Sequence, residues 1–324
     1  MAAPWGAHGR GADPPKGRAL ILVLAMILDA LMGEPRILWS HVPHPAVIMG
    51  RLIGWADTTF NVGSAQRAKG VLLTAGLVLG FAATGWVLSQ FGMVVEIVIA
   101  AILLAQRSLV DHVAAVADGL RMSLAQGRRD VAMIVGRDTS EMDPSDVARA
   151  AVESAAENFS DGVIAPAFWL LVAGLPGILI YKAINTADSM IGYRIPRHEQ
   201  FGWAAAKLDD ILNWVPARLT ALILAIMHAQ LKSWPAIIAD ARRHRSPNAG
   251  WPEAVLSRGL GVSVSGPRTY DGQRTEFPWV NAMGRKTCTP ADIDRAITAL
   301  WGAWAVFLGL ALVLSWILRL PLLP

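Results

Sequence analysis

Apolar residues along this 324-residue chain gather into runs that approach the ~20 residues a helix needs to cross a bilayer. Gly70 to Leu88 and Ile297 to Leu318 carry no charge at all, and each predicts a transmembrane helix. Met93 to Ala105 follows the first of these after a short Ser89-Gln90-Phe91-Gly92 turn, which predicts a helical hairpin with Glu96 as its one awkward residue. Ala19 to Leu31, Val163 to Tyr181 and Ile211 to Ala229 bring the runs to six, each short or interrupted by Pro, Gly or charge. Val163 to Tyr181 holds Pro166, Gly174, Pro176 and Gly177, residues that break helices and occur in re-entrant membrane elements. It is therefore expected to dip in and return, or to break near Gly174, so that the polar segments on either side meet.

Between the runs the period becomes amphipathic. Arg107 to Gln126 places Leu109, Val113, Val116, Leu120 and Leu124 at helical spacing, with Asp111, His112 and Asp118 on the solvated face. The next helix has a readable start: Asp143 as N-cap, Pro144 in the first turn and Asp146 three residues after the cap. Residues 230–296 form the largest polar insert and are rich in Gly, Pro and Arg, which predicts a loop-rich lobe. The expected fold is an all-α, polytopic integral membrane helical bundle with broken or re-entrant helices and a loop-rich cytoplasmic lobe. Its expected divisions are a disordered leader over 1–18, a membrane helical region over 19–229, the polar lobe over 230–296 and a C-terminal transmembrane helix over 297–324.

Composition agrees, since 54% hydrophobic against 17% charged residues is not the surface of a soluble protein. Arg10, Lys16 and Arg18 before an apolar stretch resemble a secretory signal, but Asp29 lies inside that stretch and no small-x-small pattern follows, so an uncleaved anchor is expected. The lone Cys288 excludes an internal disulfide and any multi-cysteine zinc or iron–sulfur site. The net charge of +4 is spread through loops without runs of Lys and Arg interleaved with aromatics, which argues against nucleic acid as a partner. If all six runs cross, segments 33–69, 106–162 and 230–296 share one side and hold 20 of the 29 Lys and Arg, so that side is cytoplasmic. The same count would put Tyr181 to Arg194 on the opposite side from the acidic stripe before residue 162, and only re-entry reconciles the two.

Four constellations carry candidate chemistry. Glu153, Glu157 and Asp161 recur at i, i+4 and i+8, one face of a continuing helix. They read either as a solvated stripe relieved by an Arg149–Glu153 pair or, at a membrane boundary, as ion ligands of the oxygen type that suits Mg²⁺. Lys182, Asn185, Asp188, Tyr193 and Arg194 lie just beyond an apolar run, and Lys207, Asp209, Asp210 and Asn213 stand at the mouth of another. Arg242, Arg243, His244 and Arg245 precede a Ser246-Pro247-Asn248 turn and Glu253, and clustered arginines suit phosphate or carboxylate recognition. His41 and His44, flanked by Pro43 and Pro45, make a weak metal pair on an extended loop. Gly284 to Thr287 is not a P-loop, because Trp279 stands where the first glycine belongs.

Taken in order, "LDALMGEP", "PHPAVIMGRLIG", "ESAAENFSDGVIAPAF", "YKAINTADSMIGYR", "FGWAAAKLDDILNWVPARLTA" and "HRSPNAGWPEA" resemble the CobD/CbiB family, the membrane-bound adenosylcobinamide-phosphate synthases of cobalamin biosynthesis. The resemblance implies ATP-dependent amide formation between adenosylcobyric acid and (R)-1-aminopropan-2-ol phosphate, or aminopropanol. It implies that Glu153, Glu157 and Asp161, with Asp188, Asp209 or Asp210, hold Mg²⁺ on ATP, and that an acid not so engaged, first Glu157, takes the proton of the incoming ammonium. Lys182, Arg194, Arg243 and Arg245 would neutralise phosphates, with Lys207 and His44 in the same substrate- or phosphate-binding set. Asn185, Asn213 and Asn248 would fix orientation. The implied setting is the inner, cytoplasmic membrane with the site facing the cytoplasm, the lipid bilayer as partner, and other enzymes of the pathway docking on the 230–296 lobe. Two rivals remain at this point: a membrane corrinoid transporter or carrier, and a prenyltransferase using Mg-diphosphate.

Overall fold

The charge-free run and the turn that follows it fold as read: α3 (Gln66–Ser89) and α4 (Met93–Leu103) form a hairpin that reverses at Gly92, whose φ of 94° suits glycine. The computed structural model describes residues 14–34, 39–270 and 273–318. α1 (Pro14–Met32) and α2 (Pro45–Phe60) precede the hairpin. After it come α5 (Gln106–Met122), α6 (Leu124–Ala132) and α7 (Pro144–Phe159), then a π-helical turn at Ser160–Ile164 and α8 (Ala165–Ile191). α9 (Trp203–Leu212), α10 (Trp214–Met227), α11 (Trp234–Ala241), α12 (Gly250–Leu260) and α13 (Pro290–Ile317) follow. Two small antiparallel ribbons lie between α12 and α13: β1 (Val264–Ser265) with β4 (Trp279–Val280), and β2 (Arg268–Tyr270) with β3 (Gln273–Thr275).

Among the described residues four helical stretches are by length and composition able to cross a membrane: Gln66–Ser89, Met93–Met122, Pro144–Ile191 and Pro290–Ile317, with the α9/α10 pair, bent by 41°, as a fifth. α1 is not among them, because Lys16, Arg18 and Asp29 all fall within it. The break expected near Gly174 is present in α8. Gly174 adopts φ 67° and ψ −155° inside that helix, two residues before Pro176, and the chain turns back. The Tyr181 hydroxyl consequently lies 2.8 Å from the carbonyl of Asp161, although a straight helix would separate residues 20 apart by about 30 Å. Arg18 donates to the Val172 carbonyl at 2.6 Å, satisfying an acceptor that the break releases. Gly85 of α3 seats the turn, since a Cβ there would fall 2.5 Å from the Pro176 Cα. Residues 182–210 thus return to the side of 106–162, and Lys182, Arg194, Arg197 and Lys207 join the basic side.

Boundaries also move. α1 begins at Pro14, so the expected leader edge at residue 18 falls inside a helix, and residues 1–13 lie outside the described ones. The amphipathic helix buries Leu109, Val113 and Val116 as its period requires but stops at Met122, where the Ser123 hydroxyl caps α6 by accepting the Gln126 N–H at 3.1 Å. α13 starts at Pro290 under a Thr289–Asp292 capping box, seven residues before the expected edge at Ile297. The 230–296 segment is not a separate loop-rich lobe: α12 buries Ala254, Val255 and Leu256 in the same core that holds Ala151 and Ala155 of α7. The α7 start is as read, with a reciprocal Asp143–Asp146 capping box.

Candidate functional site

The return of α8 brings members of three of the polar constellations together. The fully buried Tyr181 sets its hydroxyl 2.8 Å from the Asp161 carbonyl and 2.9 Å from Asn213 Oδ1, two acceptors that share its one proton. Asn213 donates from Nδ2 to Asp209 Oδ2 at 3.0 Å, and Asn185 donates to Asp209 Oδ1 at 3.2 Å. Both oxygens of the buried Asp209 are therefore held by amides. Asp161 feels the negative charges of Asp209, Glu157 and Asp188. Lys182 is the positive centre of this group, within the field of Asp161, Glu34 and Asp29. The buried Asp29 fixes the end of α1 by accepting the Gln106 N–H at 2.9 Å.

His44 belongs to the margin of the same cluster, in the field of Glu34 and Lys182. It caps α2, with Nδ1 accepting the Ala46 N–H at 3.1 Å and the ring edge-on to Trp39. Burial lowers its pKa, so the imidazole is neutral at physiological pH. It is an uncharged neighbour of the site.

Glu153 does not share a site with Asp161. Its carboxylate faces the β1/β4 ribbon, nearly two turns ahead of the π-helical turn that begins at Ser160. Its Oε2 lies 3.1 Å from Arg137 Nη2 and its Oε1 accepts the Ser265 N–H at 2.7 Å. The anticipated Arg149–Glu153 pair is replaced by Arg149–Asp146 at 2.8 Å. Glu157 remains on the Asp161 side, exposed at the end of α7.

The Glu153 side opens on a cavity of about 280 Å³ whose lining includes Arg137, Glu141, Asp146, Arg149 and Trp279. Arg243 and Arg245 line a neighbouring cavity of about 20 Å³ that shares Ser265 and Trp279 with it. These arginines therefore gather around the ribbon and not around Lys182. Asn248 is committed to structure, donating to the Asp210 carbonyl at 2.8 Å and accepting from Arg218 Nη1 at 3.1 Å. Lys207 and Asp210 pair with each other at 3.3 Å near the surface, and Arg194 is exposed past the end of α8. Neither Arg194 nor Lys207 is drawn into the cluster.

Among the described residues no three His, Cys, Asp or Glu side chains are arranged to hold a metal ion. Mg²⁺ carried on phosphates needs only one or two carboxylates, with water in its other positions. The donor set of Asp161, Asp188 and Asp209, carboxylates that repel one another, with Lys182 in the field of Asp161, fits that mode of binding and not a cage. Glu153, committed to Arg137 and Ser265, leaves the set.

Several members of the site escape a reading by local pattern. Tyr181 was legible as a polar group ending an apolar run, and Asp29 as a charge inside one. Arg137, Ser265 and Trp279 sit in stretches without periodicity, and only the tertiary fold joins them to Glu153.

The family model described as CobD/Cbib protein matches residues 22–300. The chain is 45% identical over 317 residues to the cobalamin biosynthesis protein CobD of Brucella suis biovar 1, covering 92% of this chain and 97% of that protein. It is 46% identical to the protein of the same name from Brucella anthropi, with the same coverage. The Rhodobacter capsulatus protein of that name is 43% identical over 306 residues, covering 92% and 96%. No solved structure matches the chain. A match of this length and identity means that the chain belongs to the CobD/CbiB family.

Proposed function

We propose that this chain acts in cobalamin biosynthesis as an ATP-dependent acid–amine ligase, joining adenosylcobyric acid to (R)-1-aminopropan-2-ol phosphate, or to aminopropanol, to give adenosylcobinamide phosphate or adenosylcobinamide. The observation that supports it most is the re-entrant turn of α8, which sets Asp161, Lys182, Asp188 and Asp209 together at the base of apolar helices. A carboxylate must be activated before an amine can displace its oxygen, and transfer of the ATP γ-phosphoryl group to the propionate gives ADP and an acyl phosphate, from whose carbon the attacking amine expels inorganic phosphate. Such a reaction asks the protein chiefly for positioning and charge neutralisation.

On this reading Asp161 and Asp188 would hold Mg²⁺, which when bound offsets the charge of the ATP phosphates. Lys182 neutralises phosphate oxygens and keeps the acidic cluster compatible with an anionic substrate. Asn185 and Asn213 hold Asp209 in one orientation. Glu157, exposed one turn before the π-helical turn, takes the proton that the ammonium loses as nitrogen attacks the acyl carbon. The site belongs to the Lys- and Arg-rich side, which on the positive-inside rule faces the cytoplasm from the inner membrane.

The test is mass spectrometry of products from purified, detergent-solubilised protein given adenosylcobyric acid, Mg·ATP and either amine. ATP-dependent amide product supports the ligase and identifies the acceptor. Corrinoid bound but unchanged in both mixtures replaces the ligase with a carrier.

A further inference from the structure

Among the described residues α2 leaves one apolar face uncovered. Met49, Ile53 and Ala56 are buried, and Met190 of α8 packs along Gly50 and Gly54 on that side. On the other side Val47, Ile48, Leu52 and Trp55 recur at helical spacing and are 41–56% exposed. At 16 residues α2 is too short to cross a bilayer, for which about 20 are needed. A short helix with an apolar face turned outward suits the boundary between acyl chains and headgroups, where such a face sinks about 5–10 Å.

The C-terminal end of α2 lies where the charge-free run of α3 begins. Asp57 accepts from Arg197 at 2.7 Å and Asn61 donates to the Arg197 carbonyl at 2.9 Å, which ties α2 to the turn before α9. Gly70, the first residue of the run, lies so close to that turn that a Cβ on it would strike the Phe201 carbonyl. Arg67 and Lys69 stand immediately before the run. The Arg67 guanidinium stacks over the Trp203 ring at 4.0 Å, and Lys69 donates to the Val62 carbonyl at 2.7 Å with two ammonium protons to spare. Trp55 and Phe60 meet edge to face at 5.4 Å between ring centres. Arg51, Arg67, Lys69 and Arg197 are thus set among the exposed rings of Trp55, Phe60 and Trp203. The acids beside them are Asp57, which Arg197 already neutralises, and the exposed Glu199.

We infer that this corner of α2 and α3 binds an anionic phospholipid, with the headgroup phosphate among Arg51, Arg67 and Lys69 and the acyl chains along the exposed face of α2. The apolar half of such a ligand meets a surface that adjoins the exposed Val71, Leu72 and Leu79 of α3, in a run that spans the bilayer. The charged half meets cations and aromatic rings of the kind that settle at the headgroup layer. A soluble anion answers only the cations. A second copy of this chain docked face to face would set the same cations against one another. The corner belongs to the Lys- and Arg-rich side, which the positive-inside rule turns toward the anionic cytoplasmic leaflet.

Native mass spectrometry of the full-length protein in detergent tests this, with phosphatidylglycerol and phosphatidylcholine of identical acyl chains as probes and glycerol 3-phosphate as the headgroup alone. The wild type is expected to hold phosphatidylglycerol about tenfold or more tightly than phosphatidylcholine, and glycerol 3-phosphate more weakly than either lipid. Arg51→Gln combined with Arg67→Gln should weaken phosphatidylglycerol roughly 20-fold, at a factor of about five for each cation removed, and leave phosphatidylcholine unchanged. Arg67→Lys keeps the charge and should keep the preference. Arg129→Gln, at an exposed position of α6, removes a charge from the same side of the molecule and should also leave the preference intact. Equal affinity of the wild type for the two lipids overturns the inference, and so does a preference that survives the double substitution or falls as far in Arg129→Gln. Glycerol 3-phosphate held as tightly as phosphatidylglycerol replaces the lipid with a soluble anion and overturns it too. Arg51 and Arg67 are exposed, so the double variant should unfold with the wild type in lipid-free detergent; if it does not, Arg51→Gln alone carries the comparison at about fivefold.

Discussion

Glu153 was expected among the metal-binding and catalytic acids and instead fastens α7 to the β1/β4 ribbon, a difference that one substitution can weigh. Its carboxylate and the Arg137 guanidinium are 7% and 10% exposed and 3.1 Å apart, and Ser265 adds an amide donor at 2.7 Å. Removing one member of a buried pair leaves the other charge stranded and costs about 3–5 kcal/mol, to which the orphaned Ser265 amide adds on the order of 1–3 kcal/mol. Ser265 holds φ at +64°, so the anchor also restrains a backbone that a serine does not favour. Glu153→Ala should therefore lower the apparent unfolding temperature in detergent by ~10 °C or more at the few degrees per kcal/mol usual for a chain of this size. Glu153→Gln keeps one acceptor and should lose roughly half as much. A cycle with Arg137→Met should show the two losses coupled rather than additive. If Glu153→Ala unfolds with the wild type and yet makes no amide, Glu153 returns to the catalytic acids and the description of it as an anchor is wrong.

The remaining expectations concern other parts of the molecule. Glu157→Gln should unfold as the wild type does while amide formation falls by about 10²–10⁴-fold, and near-normal turnover in the product assay removes Glu157 as the base. Gly174→Ala places a side chain at φ +67° and 3.2 Å from Arg18 Nε, so it should destabilise by about 1–3 kcal/mol or more; a thermal shift within error counts against the re-entrant break. Burial pushes the Cys288 thiol up to about 11, leaving roughly one thiolate in a thousand at pH 8, so a disulfide reagent should label it only after unfolding. Burial alone would raise the Asp57 carboxyl, but hydrogen bonds from Asn61 and Arg197 outweigh it and hold the pKa below its ordinary value. Its contribution is complete above the unfolded value of about 4 and disappears as pH falls through the lower folded value, so Asp57→Asn should flatten the acid limb of unfolding temperature against pH.

What could be read in advance follows the range of the interaction. The α3/α4 hairpin is encoded by a charge-free run and a glycine turn, the α7 start by Asp143 and Asp146, and the return of α8 by Gly174 and Pro176, all local signals. Residues 230–296 were misread because Gly, Pro and Arg dominate their composition while the buried face of α12 is short, ending where Gly261 turns left-handed at φ 70°. Helical spacing alone joins Glu153 to Glu157 and Asp161 in one stripe, and the β1/β4 ribbon rather than the helical period claims its carboxylate. Arg137 and Ser265 meet Glu153 from 16 and 112 residues away, and no local spacing encodes such a meeting.

The same separations set an order of assembly. Asp161, Tyr181, Asn185, Asp209 and Asn213 close on one another across at most 32 residues, so a nascent chain that has emerged through Asn213 already contains every one of these partners. The Glu153–Ser265 anchor must await most of the remaining chain and closes a loop several times longer, although closure entropy grows only with the logarithm of length. What delays it during synthesis is the time needed to make the partner. Every partner of the acidic cluster is thus in place before the β1/β4 ribbon that holds Glu153 has been made, and α7 leads from one to the other.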